Sequence, residues 1–425
     1  MTDRGFPAKP LRFTLLSAAG VATLCALYMV SQFLRNSVGV IAPDLARDIE
    51  LSAAEIGFLS SAYFLMFGLV QIPLGIALDR FGPKPCLLAS VLIAVAGCAV
   101  FAVANSAGAL VLGRLLMGLG TASYLMAPLA LYARWFSPER FSTMAGLQMG
   151  IGTLGALLAT APLAWSTALV GWRATFAGIG LITFIFGVLV WLIVRDAPPQ
   201  DFRPSGTTGL RADFAGLWEV IRTPSIGRLF LVQLTNYPSF LLIVGLWGGP
   251  YLAHVYGLDL KARGDMLFVA ALAQVLGSLF WGAMDRVFGR YKPPVLIALT
   301  LVLASLVLLA GLGNPPLPVL LALLALLGFS TGLTSLIMGQ VKLLVPPHLW
   351  GRSFTLLNIG PMGGGFACQF ASGLLINLYP SPNGVYPLAA YQMVFGLQAL
   401  LLLIAMIAYF GSREQPLRSQ AIEIK

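Results

Sequence analysis

Tyr28, Gln32, Arg35 and Asn36 are spaced by four, three and one residues, which places them on one stripe of a helix. Their surroundings are apolar. No charged residue stands in the 22 positions before Arg35, Phe13 to Leu34, or in the eight after it, Asn36 to Pro43. A charge at membrane depth costs at least about 2.5–3.5 kcal/mol, so such a stripe belongs against a cavity or another helix rather than lipid. A guanidinium offers a planar fork of donors that matches a carboxylate or a phosphate. Arg35 has three possible ways to be satisfied. It could snorkel to the interface, but Pro43 lies about 12 Å away at 1.5 Å per residue, about twice what the side chain covers. It could pair with a buried carboxylate, but no Asp or Glu stands mid-way along any apolar segment, and Asp44 is nine residues distant. The third is a substrate anion, and the residues favour it.

The elements that position this stripe follow from composition. Of 425 residues, 58% are hydrophobic and 10% charged, against roughly 25% charged in a soluble domain. The 46 glycines suit closely packed membrane helices. Spanning requires about 20 mainly apolar residues. The chain offers twelve such segments, at 13–43, 54–78, 84–104, 107–134, 143–168, 174–195, 228–254, 265–284, 294–313, 317–343, 353–378 and 388–411. The first is too long for a signal peptide. The expected fold is all-α: twelve transmembrane helices in two pseudo-symmetric six-helix bundles.

The net charge of +10 does not call for nucleic acid, because cytoplasmic loops of membrane proteins accumulate Lys and Arg. With the N-terminus inside, 20 basic residues fall in cytoplasmic segments and 4 outside. That bias puts both termini in the cytoplasm; the expected location is a bacterial inner membrane. Residues 1–195 form the expected first bundle, 196–227 a Pro- and Gly-containing cytoplasmic linker, and 228–425 the second bundle with a short tail. The halves echo each other: "GIALDRFGPK" follows span 2 and "GAMDRVFGRYK" follows span 8, while "SPERFSTMAGLQ" opens span 5 and "PPHLWGRSFTLLN" opens span 11. Duplicated halves with a site at their interface are a transporter architecture.

Position nominates further site residues. Gln148 and Asn358 occupy matching places in the two repeats; Gln233, Asn236 and Tyr237 cluster in span 7; Tyr63 and Tyr124 are weaker choices. Each could instead make an interhelical hydrogen bond, worth about 0.6 kcal/mol on average. Arg114, mid-span, reads as a structural or coupling residue. No H-E-x-x-H, G-x-x-x-x-G-K-[ST] or G-x-S-x-G occurs, the only histidines are His254 and His348, and the four cysteines lack metal-ligand spacing. No enzyme activity, metal or cofactor is expected.

Gly75, Asp79, Arg80, Gly82 and Lys84 resemble the cytoplasmic G-x-x-x-D-R-x-G-x-K signature of the major facilitator superfamily. Asp285, Arg286, Gly289 and Arg290 resemble its second-half version, "RLLMGLG" with Arg114 its fourth-span motif, and "GWRATF" a stretch before span 6. The resemblance covers essentially the whole chain. From their place at a helix terminus on the cytoplasmic face, Asp79 and Arg80, with Asp285 and Arg286 recurring after span 8, are expected to latch the two halves in the outward-open state, with Gly82 and Pro83 in a tight turn. The R-x7-P arrangement of Arg35 and Pro43 is also similar to that of organophosphate:phosphate antiporters and of anion:cation symporters for sugar acids. In both, the span-1 arginine holds the substrate anion. The antiporters add a second arginine in span 7, but here "YPSFLLIVG" precedes "WGGPYL" and Leu241 stands near that place. The symporters place acids beside the arginine and in span 4, and here neither acid is present.

The expectation is therefore a secondary transporter, monomeric in the bilayer, that moves a small organic anion by alternating access, a carboxylate rather than a phosphate ester. Its coupling is symport or antiport, with an ion or counter-anion as partner. Two alternatives stay open: an exporter of amphiphilic drug-like or siderophore-like compounds, and a sensor that binds an anion without moving it.

Overall fold

The computed structural model describes residues 15–136, 138–194, 218–346, 349–381 and 384–412. Among the described residues every regular element is helical. Eleven helical segments are long and apolar enough to cross a membrane, and Thr143–Leu158 is a shorter apolar helix.

The first apolar run is two helices, not one. Helix α1 (Leu15–Asn36) stops just after Arg35, and α2 (Val38–Ile49) resumes beyond Ser37. The Ser37 hydroxyl donates back to the Leu34 carbonyl at 3.0 Å, which marks the break. A capping box opens α3 (Ala53–Phe81): the Ser52 side chain accepts from the Glu55 N–H, and the Glu55 side chain accepts from the Ser52 N–H. That helix ends at Gly82, whose φ of 85° makes the turn into α4 (Pro83–Ala102). Residues with side chains rarely adopt this conformation. A bend at Ala122 joins α5 (Ala107–Thr121) to α6 (Ser123–Trp135).

Helix α7 (Pro138–Leu158) and α8 (Ala161–Ile193) divide the apolar stretch differently from the sequence reading of 143–168 and 174–195. The helix breaks at Ala159 and Thr160, and α8 kinks at Gly171, where φ is 80°. Gly171 is non-helical (φ 80°, ψ 160°), so α8 is two helices that meet there, the first completing the sequence-expected 143–168 and the second carrying 174–195.

In the rest of the chain, α9 (Ile226–Leu242) passes through a π-helical turn, Ile243–Trp247, into α10 (Gly248–Tyr256). It is followed by α11 (Leu260–Phe288), α12 (Lys292–Gly311), α13 (Leu317–Thr331), α14 (Thr334–Leu344), α15 (Trp350–Ile376) and α16 (Leu388–Phe410). The sequence-expected linker up to residue 217 and both chain ends lie outside the described residues.

Helices α1, α3, α4, α5, α7 and α8 pack among themselves, as do α9, α11, α12, α13, α15 and α16. The two groups meet where α3 packs on α15, α8 on α11, and α2 on the π-turn and α10. Small residues allow this. A Cβ on Gly57 would stand 2.7 Å from the Gln369 carbonyl oxygen, and one on Gly249 would collide with the Gly39 backbone. One end of the molecule is tied shut. Arg263 on α11 binds Asp44 on α2 at 3.0 Å, and the Tyr386 hydroxyl accepts from the Ala53 N–H at 3.0 Å.

Candidate functional site

Arg35 sits at a deliberately fixed helix end. Where α1 stops, the Leu34 carbonyl loses its helical partner. It accepts instead from Ser37 and, at 2.5 Å, from a guanidinium nitrogen of Arg114 on α5. Arg114 is fully buried, reaches the Ser60 carbonyl at 3.5 Å, and lies 4.8 Å over the Tyr63 ring. The Tyr63 hydroxyl in turn contacts the Thr121 hydroxyl at 2.5 Å and donates to the Ser31 carbonyl at 3.2 Å. The backbone beside Arg35 is thereby held from α3 and α5.

Arg35 is 6% exposed. Its guanidinium lies 4.8 Å over the Phe67 ring, which is itself stacked on Tyr63 at 6.0 Å. Its Nε has no hydrogen-bond partner. Among the described residues, the ion pairs join Asp44 and Asp48 to Arg47, Arg173 and Arg263, and none involves Arg35. The residue faces a narrow cavity of about 30 Å³. Tyr28, Arg35, Gln71 and Asn358 supply its polar lining, and Phe67, Leu125, Met126 and Met362 most of its apolar wall. The lining therefore comes from both helix groups: α1, α3 and α6 on one side, α15 on the other.

The sequence-nominated residues divide three ways. Tyr28, Arg35 and Asn358 line the cavity together, and Tyr237 makes a side-chain hydrogen bond with Arg35. Gln32 and Asn36 stay on the same stripe but beneath the surface. Asn36 Nδ2 donates to the Gln32 carbonyl at 2.8 Å, while Gln32 Oε1 and Asn36 Oδ1 are buried without partners. Gln233 and Asn236 are fully buried on α9. Asn236 Nδ2 donates to the Thr331 carbonyl at 3.0 Å, whereas both amide atoms of Gln233 lack partners. The last division stands apart from the cavity. Gln148 is consumed by neighbours: Nε2 donates to the carbonyls of Leu24 (3.1 Å) and Tyr124 (3.2 Å), and Oε1 accepts from Tyr132 (2.8 Å) and Cys25 (3.2 Å). Tyr124 is fully buried and its hydroxyl has no partner.

At the cytoplasmic-signature end, Arg80 and Arg286 are exposed, and the Arg80 guanidinium lies over the Phe81 ring at 5.3 Å. Asp285 accepts from the Arg286 N–H at 2.8 Å. Burial, with the Asp285 carboxylate adding to it, pushes the Tyr291 hydroxyl above its usual range. The Asp79 side chain lies outside the described residues.

Sequence reasoning missed the apolar wall and the closing contacts. Phe67, Met126 and Met362 stand in long apolar runs where nothing local separates a cavity-facing residue from a lipid-facing one. Arg263 and Asp44 were visible only as loop charges.

A family model described as the Major Facilitator Superfamily matches residues 24–262 and 229–425. The chain belongs to the Major Facilitator Superfamily. It is similar to the hexuronate transporter of Escherichia coli (strain K12), with 23% identity over 406 residues, 92% of this chain and 85% of that protein. A nitrate/nitrite transporter NrtP of Picosynechococcus sp. is 30% identical over 199 residues, 40% of this chain and 37% of that protein. A probable L-galactonate transporter of Escherichia coli (strain K12) is 26% identical over 289 residues, 65% and 63% of the two chains. The chain thus matches less than two thirds of the length of the nitrate/nitrite and galactonate relatives. Among solved structures, a bacterial homolog of the human lysosomal transporter Spinster, inward-facing and unoccupied, superposes with a TM-score of 0.77 at 17% identity, covering 94% of this chain and 97% of that one. Nucleoside transporter NupG superposes with a TM-score of 0.74 at 16% identity, covering 94% and 100%. The structural likenesses establish the fold of this superfamily member.

Proposed function

We propose that this protein is a secondary active transporter for a small organic anion, a carboxylate rather than a phosphate ester, and that the cargo pairs with Arg35. The observation that carries the reading is Arg35 itself: 6% exposed, without a carboxylate partner among the described residues, and facing a cavity lined by both helix groups. The transporter relatives named for hexuronate, galactonate and sulfoacetate support an anionic cargo.

Twelve spans in two six-helix bundles, 1–195 and 228–425 joined by a cytoplasmic linker, accommodate the eleven long helical segments and Thr143–Leu158. The fifth span is then α7 with α8 up to Gly171, and the sixth is α8 beyond that kink. The 20:4 basic bias supports cytoplasmic termini, and the bacterial relatives support a bacterial inner membrane. On that orientation the end tied by Asp44 and Arg263 is external, and the conformation described here is inward-facing. An empty site leaves the Arg35 charge unpaired, so reorientation favours the occupied carrier. Exchange or ion-coupled symport follows more easily than free uniport.

The test is uptake of radiolabelled carboxylates by liposomes containing the purified monomer. Arg35→Ala should abolish uptake while membrane insertion and the thermal midpoint of the ligand-free protein hold. Normal uptake by that variant would refute the reading. Binding without uptake by the unaltered protein would mark a sensor instead.

A further inference from the structure

Resting on the anion reading, we infer that the cargo is a monocarboxylate with a compact apolar body, an aryl or branched-alkyl acid, rather than a polyhydroxylated acid, a dianion or an inorganic anion. Three observations converge. First, the cavity holds one cation. Arg114, buried nearby on α5, spends its guanidinium on the carbonyls of Leu34 and Ser60, and neither it nor the buried Arg263 lines the cavity. A second carboxylate would therefore be desolvated without a partner, which is costly.

Second, the fork geometry of a guanidinium–carboxylate pair directs the rest of the anion away from Arg35, and one face of that guanidinium is already covered by Phe67. The body of the cargo consequently meets Leu125 and Met126 from one helix group and Met362 from the other. Thioethers adapt to irregular apolar shapes and make favourable contacts with ring edges. Nitrate has no body to fill that wall.

Third, among the described residues the polar lining beyond Arg35 is Tyr28, Gln71 and Asn358, with Tyr237 hydrogen-bonded to Arg35 beside it. A hexose acid would present more hydroxyls than these can satisfy, and an unpaired buried hydroxyl is destabilising. The rival occupant has one argument of its own. Gln32 Oε1 and Asn36 Oδ1 are buried acceptors that lack donors, and substrate hydroxyls would satisfy them. Neither residue lines the cavity, however.

The test is ligand-induced thermal stabilisation of the full-length purified protein by benzoate, cyclohexanecarboxylate, galacturonate, phthalate and nitrate at matched ionic strength. Benzoate and cyclohexanecarboxylate should bind at least about tenfold more tightly than the other three; a single added hydroxyl in an apolar pocket costs up to about a hundredfold. Met362→Gln should weaken benzoate binding by about tenfold, and Met362→Leu, which keeps the apolar surface, should preserve it. Galacturonate, phthalate or nitrate binding as tightly as benzoate overturns the inference and leaves the anion reading standing. If Met362→Gln does not fold, the ligand series on the unaltered protein decides. No stabilisation by any anion overturns both readings.

Discussion

Asp44 on α2 and Arg263 on α11 meet at 3.0 Å across 219 residues of sequence, and their side chains are only 14% and 5% exposed. Asp44 also binds Arg47 at 3.1 Å, and Asp48 accepts from the Trp172 indole at 2.9 Å, so the closed end is a small charged junction rather than one contact. Removing one partner of a buried pair costs about 3–5 kcal/mol when the other charge is left unpaired; Arg263→Ala leaves Asp44 its pair with Arg47, so the cost is smaller here. Here that cost falls on the conformation in which the pair is made. Arg263→Ala should therefore shift the population toward opening at this end. Spin labels at the exposed positions Glu50 and Lys261 report it: their distance distribution should move to longer values, and an unchanged distribution would remove the pair from any gating role. Asp44→Arg combined with Arg263→Asp should restore part of the closed population.

Gly249 tests the same closure sterically. It lies on α10 inside a helix, where alanine is ordinarily better by about 1 kcal/mol. A Cβ there would collide with the Gly39 backbone of α2, which cannot rotate aside as a side chain can. Overpacking of this kind costs about 1–3 kcal/mol, so the clash outweighs the propensity gain. Gly249→Ala should open the labelled pair in the same direction as Arg263→Ala, although it removes no charge. If the variant instead raises the thermal midpoint without changing the distances, the close approach is not what holds the end shut.

The contrast between these two contacts shows what a sequence exposes. Arg35 was legible because an isolated charge in an apolar run has few ways to be satisfied, and α1 indeed carries it buried against a cavity. Long apolar segments were legible for the same reason, since length and hydropathy are local. The break at Ser37 was not, because it depends on Arg114 and Ser37 competing for the Leu34 carbonyl. The boundary between spans 5 and 6 was legible at "GWRATF", where α8 kinks at Gly171, but the break at Ala159 and Thr160 inside span 5 was not, because the apolar run continues through it. Met126 and Met362 read as lipid-facing or cavity-facing equally well until the helices are packed.

Gln148 illustrates the same ambiguity for polar residues, and its outcome is testable. All its hydrogen-bonding capacity at Oε1 and Nε2 is directed at Leu24, Tyr124, Tyr132 and Cys25. It therefore ties α7 to α1 and α6. Gln148→Leu would leave those buried groups without partners, at about 1–3 kcal/mol for an unsatisfied group. The thermal midpoint of the ligand-free protein should fall, while the apparent Kd for the anion stays within about twofold of the parent, a few tenths of a kcal/mol. A large loss of affinity with unchanged stability would instead make Gln148 a ligand.

Arg114 yields the sharpest separation of roles. It does not reach the cavity, yet its guanidinium holds the carbonyl of Leu34, the residue immediately before Arg35. It also holds Ser60 and lies over Tyr63, so α1, α3 and α5 are joined at this point. Lysine carries the same charge but lacks the planar fork, and cannot serve two carbonyls in the same geometry. Arg114→Lys should therefore loosen the end of α1 and misdirect Arg35. A misplacement of about 1 Å in a positioned group can cost a hundredfold in function. The expected result is an apparent Kd for the anion raised by about tenfold or more, with insertion intact and the maximal uptake rate reduced less than the affinity. A residue that acted only in coupling or gating would show the reverse: an unchanged equilibrium Kd and a reduced uptake rate. Equilibrium binding measured beside uptake on the same liposomes decides between a positioning residue and a gate.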